Sequence, residues 1–181
     1  HDYGRQAGRC GIGAVMGSKG LKAIVFDDAG GTKPSIADSE AFKRAQKLFT
    51  TNTLDHPQTK TYQEYGTPAM VRMCNAMGGL PTRNFSAGSF ENGKNIYGTT
   101  MREKIVITDK GCFVCPCPCG KYSRMNKYNS NVEGPEYETI GLLGSNVGVD
   151  DIEDVAQANL LCDDLGIDSI SAGNAIAWLL R

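Results

Sequence analysis

Asp150-Asp-Ile-Glu-Asp-Val-Ala-Gln-Ala-Asn-Leu-Leu-Cys-Asp-Asp-Leu-Gly-Ile-Asp168 contains a helix together with its start and stop signals. Asp150 or Asp151 suits the N-cap. Ile152, Val155, Ala156, Asn159, Leu160 and Leu165 are spaced for an inner face, Gly166 suits the C-terminal stop, and Asp168 or Ser169 opens another helix. The same logic applies upstream. Ala41, Phe42, Ala45, Leu48 and Phe49 recur at helical spacing behind Ser35, Asp38 or Ser39. Thr67-Pro68 reads as an N-cap followed by proline at the first helical position, Met70, Val71, Cys74 and Met77 form a stripe, and Gly78-Gly79 stops it. Tyr137 to Leu143 reads as a short helix, and Thr99 to Ile107 fits either a short helix or a strand. Gly79 to Gly98 reads as an irregular polar connection. Gly8 to Gly20, with five glycines, reads as a loop feeding a buried strand over Leu21 to Phe26. The expected fold is therefore mostly α with a short β segment at the N-terminus. The boundary falls in the turn-rich stretch from Asp27 to Pro34, giving units 1–27 and 35–181.

Four of the seven cysteines fall in Cys112-Phe-Val-Cys115-Pro-Cys117-Pro-Cys119. Thiols this close in sequence make poor structural disulfides but can converge on one soft metal centre. Cys112, Cys115 and Cys119 are spaced C-x2-C-x3-C, which lets one bend hold three corners of an iron-sulfur cubane while a distant residue supplies the fourth. Cys117 need not bind. Three readings stay open here: an iron-sulfur cluster, a zinc site, and thiols without metal. The zinc reading lacks a second C-x2-C or a downstream His pair, since the only histidines are His1 and His56. Lone cysteines at 10, 74 and 162 read as packed structural residues or as a missing ligand.

Composition excludes other classes. A net charge of -1 gives no general reason to bind nucleic acid, and no apolar run approaches the ~20 residues of a membrane span. The absence of a leader pattern points to the cytoplasm. The opening without Met and the uncapped last helix read as a piece of a longer polypeptide, expected to be inactive by itself. Three further segments each carry two readings. Gly4-Arg5-Gln6-Ala-Gly-Arg9-Cys-Gly-Ile-Gly13 is a tight connecting loop or a grip on phosphate. Glu133-Gly-Pro-Glu-Tyr137-Glu138-Thr139 is an acidic helix start or a source of a general acid or base. Asp163-Asp-Leu-Gly166-Ile167-Asp168 is a pair of helix caps or a hydrogen-bonding edge for a polar heterocycle.

Taken in order, Gly4 to Lys19 with Leu21-Lys-Ala23, Gly79-Leu-Pro-Thr-Arg-Asn-Phe85, the cysteine loop, Gly134-Pro-Glu-Tyr-Glu-Thr139 and Asp163 to Asp168 resemble the aldehyde ferredoxin oxidoreductase family. The resemblance implies the end of a β-rich first domain plus much of a helical second domain. It also implies oxidation of a small aldehyde to a carboxylic acid at a tungsten (or molybdenum) bis-pterin, with electrons leaving through a 4Fe-4S cluster to ferredoxin or a related subunit. Cys112, Cys115 and Cys119 would hold the cluster. Arg5, Gln6 and Arg9 would lie at the pterin phosphates, which magnesium bridges, and Asp163, Gly166, Ile167 and Asp168 would meet a pterin. Tyr137 and Glu138 would approach the metal, Glu138 as proton acceptor. The fourth cluster cysteine and the family's catalytic histidine would lie beyond Arg181. Two departures stand out. Val155-Ala-Gln-Ala-Asn-Leu160 lacks the Glu-x-x-His that binds a lone iron at a dimer interface in some members, so no such iron is expected. Cys10 replaces a usual glycine. A benzoyl-CoA reductase-type subunit of the same fold, an electron-transfer or zinc module, and an oligomer are the alternatives that the sequence leaves open.

Overall fold

The structure, a computed structural model, describes residue 6 and residues 8–181. About half of the chain is helical, with one small sheet. In chain order the elements are α1 (Ile12–Ser18), α2 (Ser39–Asp55), α3 (Pro57–Tyr65), α4 (Ala69–Met77), a 3-10 turn (Gly93–Ile96), α5 (Gly98–Lys104), β1 (Val106–Lys110), β2 (Gly120–Met125), β3 (Ser130–Glu133), α6 (Tyr137–Ile140), a π turn (Gly141–Ser145), α7 (Ile152–Leu165) and α8 (Ser169–Leu179).

α7 forms as its sequence dictates. The Asp151 carboxylate accepts from the Glu153 amide at 2.8 Å, and Gly166 ends the helix in the left-handed region at φ 66°. Ile152, Val155, Ala156, Asn159 and Leu160 are buried as expected. Leu165 is instead 70% exposed, because at 3.6 residues per turn it falls on the side opposite Ile152; Cys162 turns inward in its place. α8 packs against the π turn through Gly173, where a β-carbon would lie 2.4 Å from the Leu142 carbonyl oxygen. Only glycine allows that approach.

One apolar core joins these elements. Val71 of α4, Met101 of α5, Met125 and Val132 of the sheet, Ile140 of α6 and Val155 of α7 are all essentially sealed from solvent. The stretch from Gly79 to Gly98 is irregular, as its composition suggests, but it also feeds this core with Leu80, Phe90 and Ile96. Asn75 braces it by accepting from the Phe90 amide (2.7 Å) and donating to the Phe90 carbonyl (3.1 Å). Thr99 to Ile107 resolves into both alternatives, the end of α5 followed by the start of β1.

The sheet runs β1-β2-β3, all antiparallel, with Asp109 opposite Lys121 and Lys110 opposite Gly120. The cysteine segment is thus the loop between β1 and β2. These strands are the fold's β component, and the expectation of a β segment at the N-terminus is corrected. Residues 12–18 are helical where a loop was expected, and Leu21 to Phe26 forms no strand, with Val25 and Phe26 86% and 92% exposed. A strand needs a neighbour to bond its amides, and no partner lies beside this run among the described residues. α2 is capped by Asp38, which accepts from the Ala41 amide, yet its stripe of Phe42, Leu48 and Phe49 is exposed and the helix buries nothing. α3 starts at Pro57, with His56 Nδ1 accepting from the Gln58 amide. Among the described residues, no helix is long and apolar enough to cross a membrane.

Candidate functional site

A cavity of about 1150 Å³ opens where three segments meet: the N-terminal stretch with Gln6 and Arg9, the start of α6 with Glu138, and the α7–α8 junction with Asp163 and Asp168. The junction is shaped by its caps. The Gly166 and Ile167 amides donate back to the Asp163 and Cys162 carbonyls, and Asp168 caps α8 by accepting from the Ser171 amide at 3.1 Å and hydroxyl at 2.6 Å.

Two long-range contacts close the cavity. Arg9 grips Asp168 with both arms of its guanidinium, Nε to Oδ1 at 3.1 Å and Nη2 to Oδ2 at 2.9 Å. That hydrogen bond, with the Ser171 donors and the Arg9 charge, outweighs partial burial and holds the Asp168 carboxyl well below the usual carboxylate range. Gln6 donates to Asp163 Oδ1 at 3.1 Å, and Asn159 donates to Asp163 Oδ2 at 3.3 Å. Burial comes first for Asp163, and the neighbouring Asp164 adds to it, so its carboxyl is pushed up to about 6 despite the Gln6 bond. One aspartate is thus firmly ionised and the other is poised to share a proton.

Glu138 lines the cavity and its charge reaches Arg9. Gly166 and Ile167 also line it. Tyr137 does not: its ring packs on the core, and burial followed by a hydrogen bond with Cys74 pushes its phenol up to about 12. Arg5 lies outside the described residues. Cys10 is exposed, with φ 66°, in the left-handed region where glycine sits without strain. A side chain at that position carries a backbone cost.

Thr67 and Glu136 went unrecognised as site residues in the sequence. Thr67 reads as an N-cap, but Pro68 holds that position, and the Thr67 hydroxyl instead donates to Glu136 Oε2 while accepting from the Tyr137 amide at 2.9 Å. Glu136 lines the cavity, and its charge also reaches the thiol of Cys119. Its partner Thr67 follows Gly66, where a β-carbon would lie 2.6 Å from the Cys119 carbonyl oxygen, so the cavity wall and the cysteine loop are neighbours here. A Thr followed by Pro masks such a role because the cap reading is already complete.

In the loop, the Cys115 amide donates to the Cys112 carbonyl (3.1 Å), the Cys119 amide to the Cys117 carbonyl (2.9 Å), and the Cys115 thiol approaches the Cys117 carbonyl at 3.6 Å. Burial, then the charges of Glu136 and Cys117, push the Cys119 thiol up. All four thiols are free, and among the described residues no group of three His, Cys, Asp or Glu side chains converges to hold a metal ion. The donor set is nonetheless wholly soft, four thiols on one bend.

A soft-donor loop beside a polar, carboxylate-lined cavity in a helical frame offers the donor types that an oxidoreductase uses to hold a cofactor. The comparisons with known proteins agree. A family model described as aldehyde ferredoxin oxidoreductase, domains 2 and 3, matches residues 43–181, and the N-terminal domain model of the same family matches residues 1–28. The chain belongs to the aldehyde ferredoxin oxidoreductase family. It is 38% identical over 178 residues to a tungsten-containing aldehyde ferredoxin oxidoreductase of Thermococcus kodakarensis, covering 98% of this chain and 29% of that protein. Against the Pyrococcus furiosus protein of the same name the identity is 36% over 182 residues, covering 100% and 30%. A relative named aliphatic sulfonate oxidoreductase, WOR-like subunit, also from Pyrococcus furiosus, is 31% identical over 180 residues, covering 95% and 28%. The chain therefore spans about three tenths of the length of these relatives.

Proposed function

We propose that this chain forms part of a cytoplasmic tungsten (or molybdenum) bis-pterin oxidoreductase that oxidises a small aldehyde to a carboxylic acid and delivers the electrons to ferredoxin. The observation that carries this reading is the adjacency at Glu136, where a cavity lined by Gln6, Arg9, Glu138, Asp163 and Asp168 neighbours the four-thiol loop through Thr67 and Gly66. Residues 1–27 would belong to the first domain and 35–181 to the helical second domain.

The cavity fits a large, polar, nitrogen-rich cofactor. Asp163 and Asp168, fixed by Gln6, Asn159 and Arg9, offer carboxylate oxygens to ring N–H and amino groups, and an Asp163 that titrates near neutrality adapts to either protonation state of such a ring. The Arg9 guanidinium, half exposed beside Asp168, remains open to phosphate on its outer side, where magnesium would bind. Cys112, Cys115 and Cys119 would supply thiolates to a 4Fe-4S cluster. When bound, the metal cofactor supplies two-electron redox chemistry and the cluster carries the electrons singly.

The protein's own contribution is positional. Glu138, in the first turn of α6, is oriented by the helix and accepts one of the two protons released as the aldehyde and a water become the carboxylic acid, the other passing to solvent. Tyr137, anchored to Cys74 and to Thr67 through its amide, fixes the entry of α6 and so the direction of Glu138. A cluster held by Cys112, Cys115 and Cys119 would take up the electrons on the Glu136 side of the cavity. Replacing Cys115 with Ser in the full-length enzyme is expected to abolish or alter the paramagnetic signal of the reduced cluster; an unchanged signal would remove the loop from the pathway. The 31% identity to a relative named for aliphatic sulfonates supports a second reading, the same cavity and loop serving a different small substrate. Product analysis with aldehydes and alkyl sulfonates separates the two.

A further inference from the structure

Lys121, the second residue of β2, is 2% exposed and is one of the largest fully buried side chains. Its ammonium donates to the Gln63 carbonyl at 2.8 Å, lies 3.1 Å from Asp109 Oδ1, and has the Pro118, Tyr62 and Gly120 carbonyls at 3.4–3.5 Å. Three protons are thus shared among three places: the end of α3, the strand before the cysteine loop, and the segment that closes it. Taking an ammonium out of water is costly unless every proton is matched, and a surface lysine would have met the needs of an ordinary strand. The burial therefore calls for a reason.

The surroundings supply one. Asp109 sits opposite Lys121 in the β1–β2 register, so their ion pair lies just below the loop that carries the four thiols. That same carboxylate is also gripped by Arg102, at 2.5 and 3.4 Å. The contacts at the loop base are therefore two cations to one anion, and the remaining partners of Lys121 are neutral carbonyls. At Gly66, which follows α3 with φ 67°, a β-carbon would lie 2.6 Å from the Cys119 carbonyl oxygen. The backbone of Cys119 is pressed against the end of α3 at the very place where Lys121 ties it down.

We propose that Lys121 is the positioning residue of the cysteine loop: it clamps both stems of the loop to the end of α3 and sets a fixed, buried positive charge beneath the iron-sulfur cluster that the thiolates hold. The inference rests on the iron-sulfur reading of the loop given above. A fixed cation favours the reduced, more negative state of a cluster, since net charge and hydrogen bonding set its potential. Hydrogen bonds alone would hold the loop without this effect.

The test is a redox titration of the cluster signal in the full-length holoenzyme, followed by electron paramagnetic resonance, with iron content measured beside it. Lys121→Met is expected to lower the midpoint potential and Lys121→Arg, which keeps the charge, to stay close to wild type. Asp109→Asn, at a partly exposed carboxylate, leaves the cation less compensated and is expected to raise the potential. If Lys121→Met yields no soluble enzyme, Asp109→Asn decides by itself. A wild-type potential in Lys121→Met, or an unchanged or lowered one in Asp109→Asn, overturns the inference. Iron-free wild-type enzyme would refute the iron-sulfur reading itself, whereas iron-loaded enzyme whose potential ignores both changes would refute only the role of Lys121.

Discussion

Asp163→Asn isolates the electrostatics of the cavity. The Asp163 carboxyl is raised from its ordinary 3.8 to about 6, by burial first and by Asp164 second. The sign follows from linkage. Below about pH 4 both folded and unfolded chains are protonated at this position and no penalty applies. As pH rises to about 6 only the unfolded chain ionises, so stability falls, and above that the full penalty remains. The interval corresponds to about 3 kcal/mol at most, and because the group is only partly buried, solvent screening reduces it to roughly 1–2 kcal/mol. Asparagine removes the titration but presents one oxygen where the carboxylate accepts from both Gln6 and Asn159, which costs about 1 kcal/mol. The variant should therefore be less stable than wild type at pH 4 and should draw level or overtake it at pH 7.5, as read from urea denaturation followed by circular dichroism. A difference between the two proteins that is the same at both pH values would refute the reasoning.

Asp168→Ala should lose about 1 kcal/mol through the α8 cap, whereas Asp168→Asn, a good cap, should lose less in the same denaturation assay. Because Asp168 is held below the ordinary carboxylate range, its contribution is fully present above that range and fades as pH falls through its lowered value, so Asp168→Asn should flatten acid denaturation. Gly173→Ala would push a methyl group to within 2.4 Å of the Leu142 carbonyl oxygen, and overpacking of that kind costs about 1–3 kcal/mol, visible as a lowered Tm. Glu138→Gln should reduce aldehyde turnover by roughly a hundredfold or more while leaving metal content unchanged, and full activity would remove it from the proton path.

What the sequence discloses depends on how local the cause is. The α7–α8 junction is legible because its signals are adjacent: Asp151 starts one helix, Gly166 stops it and Asp168 starts the next. The cysteine loop is legible because four thiols in eight residues have few other uses. The Arg9 to Asp168 and Gln6 to Asp163 contacts bridge more than 150 residues, and no periodicity announces them; ordered resemblance alone pointed to the same residues. β2 escapes a period-2 reading because Lys121 and Ser123 are polar yet buried, each bonded to backbone carbonyls. Leu21 to Phe26 shows the converse failure. Its apolar run fits a buried strand, but a strand also requires a neighbour, and local sequence does not show whether one is there. Tyr137 sits beside Glu138 in sequence yet points into the core, since successive helical positions face different directions.

Elemental analysis of the full-length protein purified without oxygen tests the metal content of the cavity and cysteine loop most directly. About four iron atoms per polypeptide are expected, together with tungsten or molybdenum. Zinc alone, or no iron, would contradict that expectation.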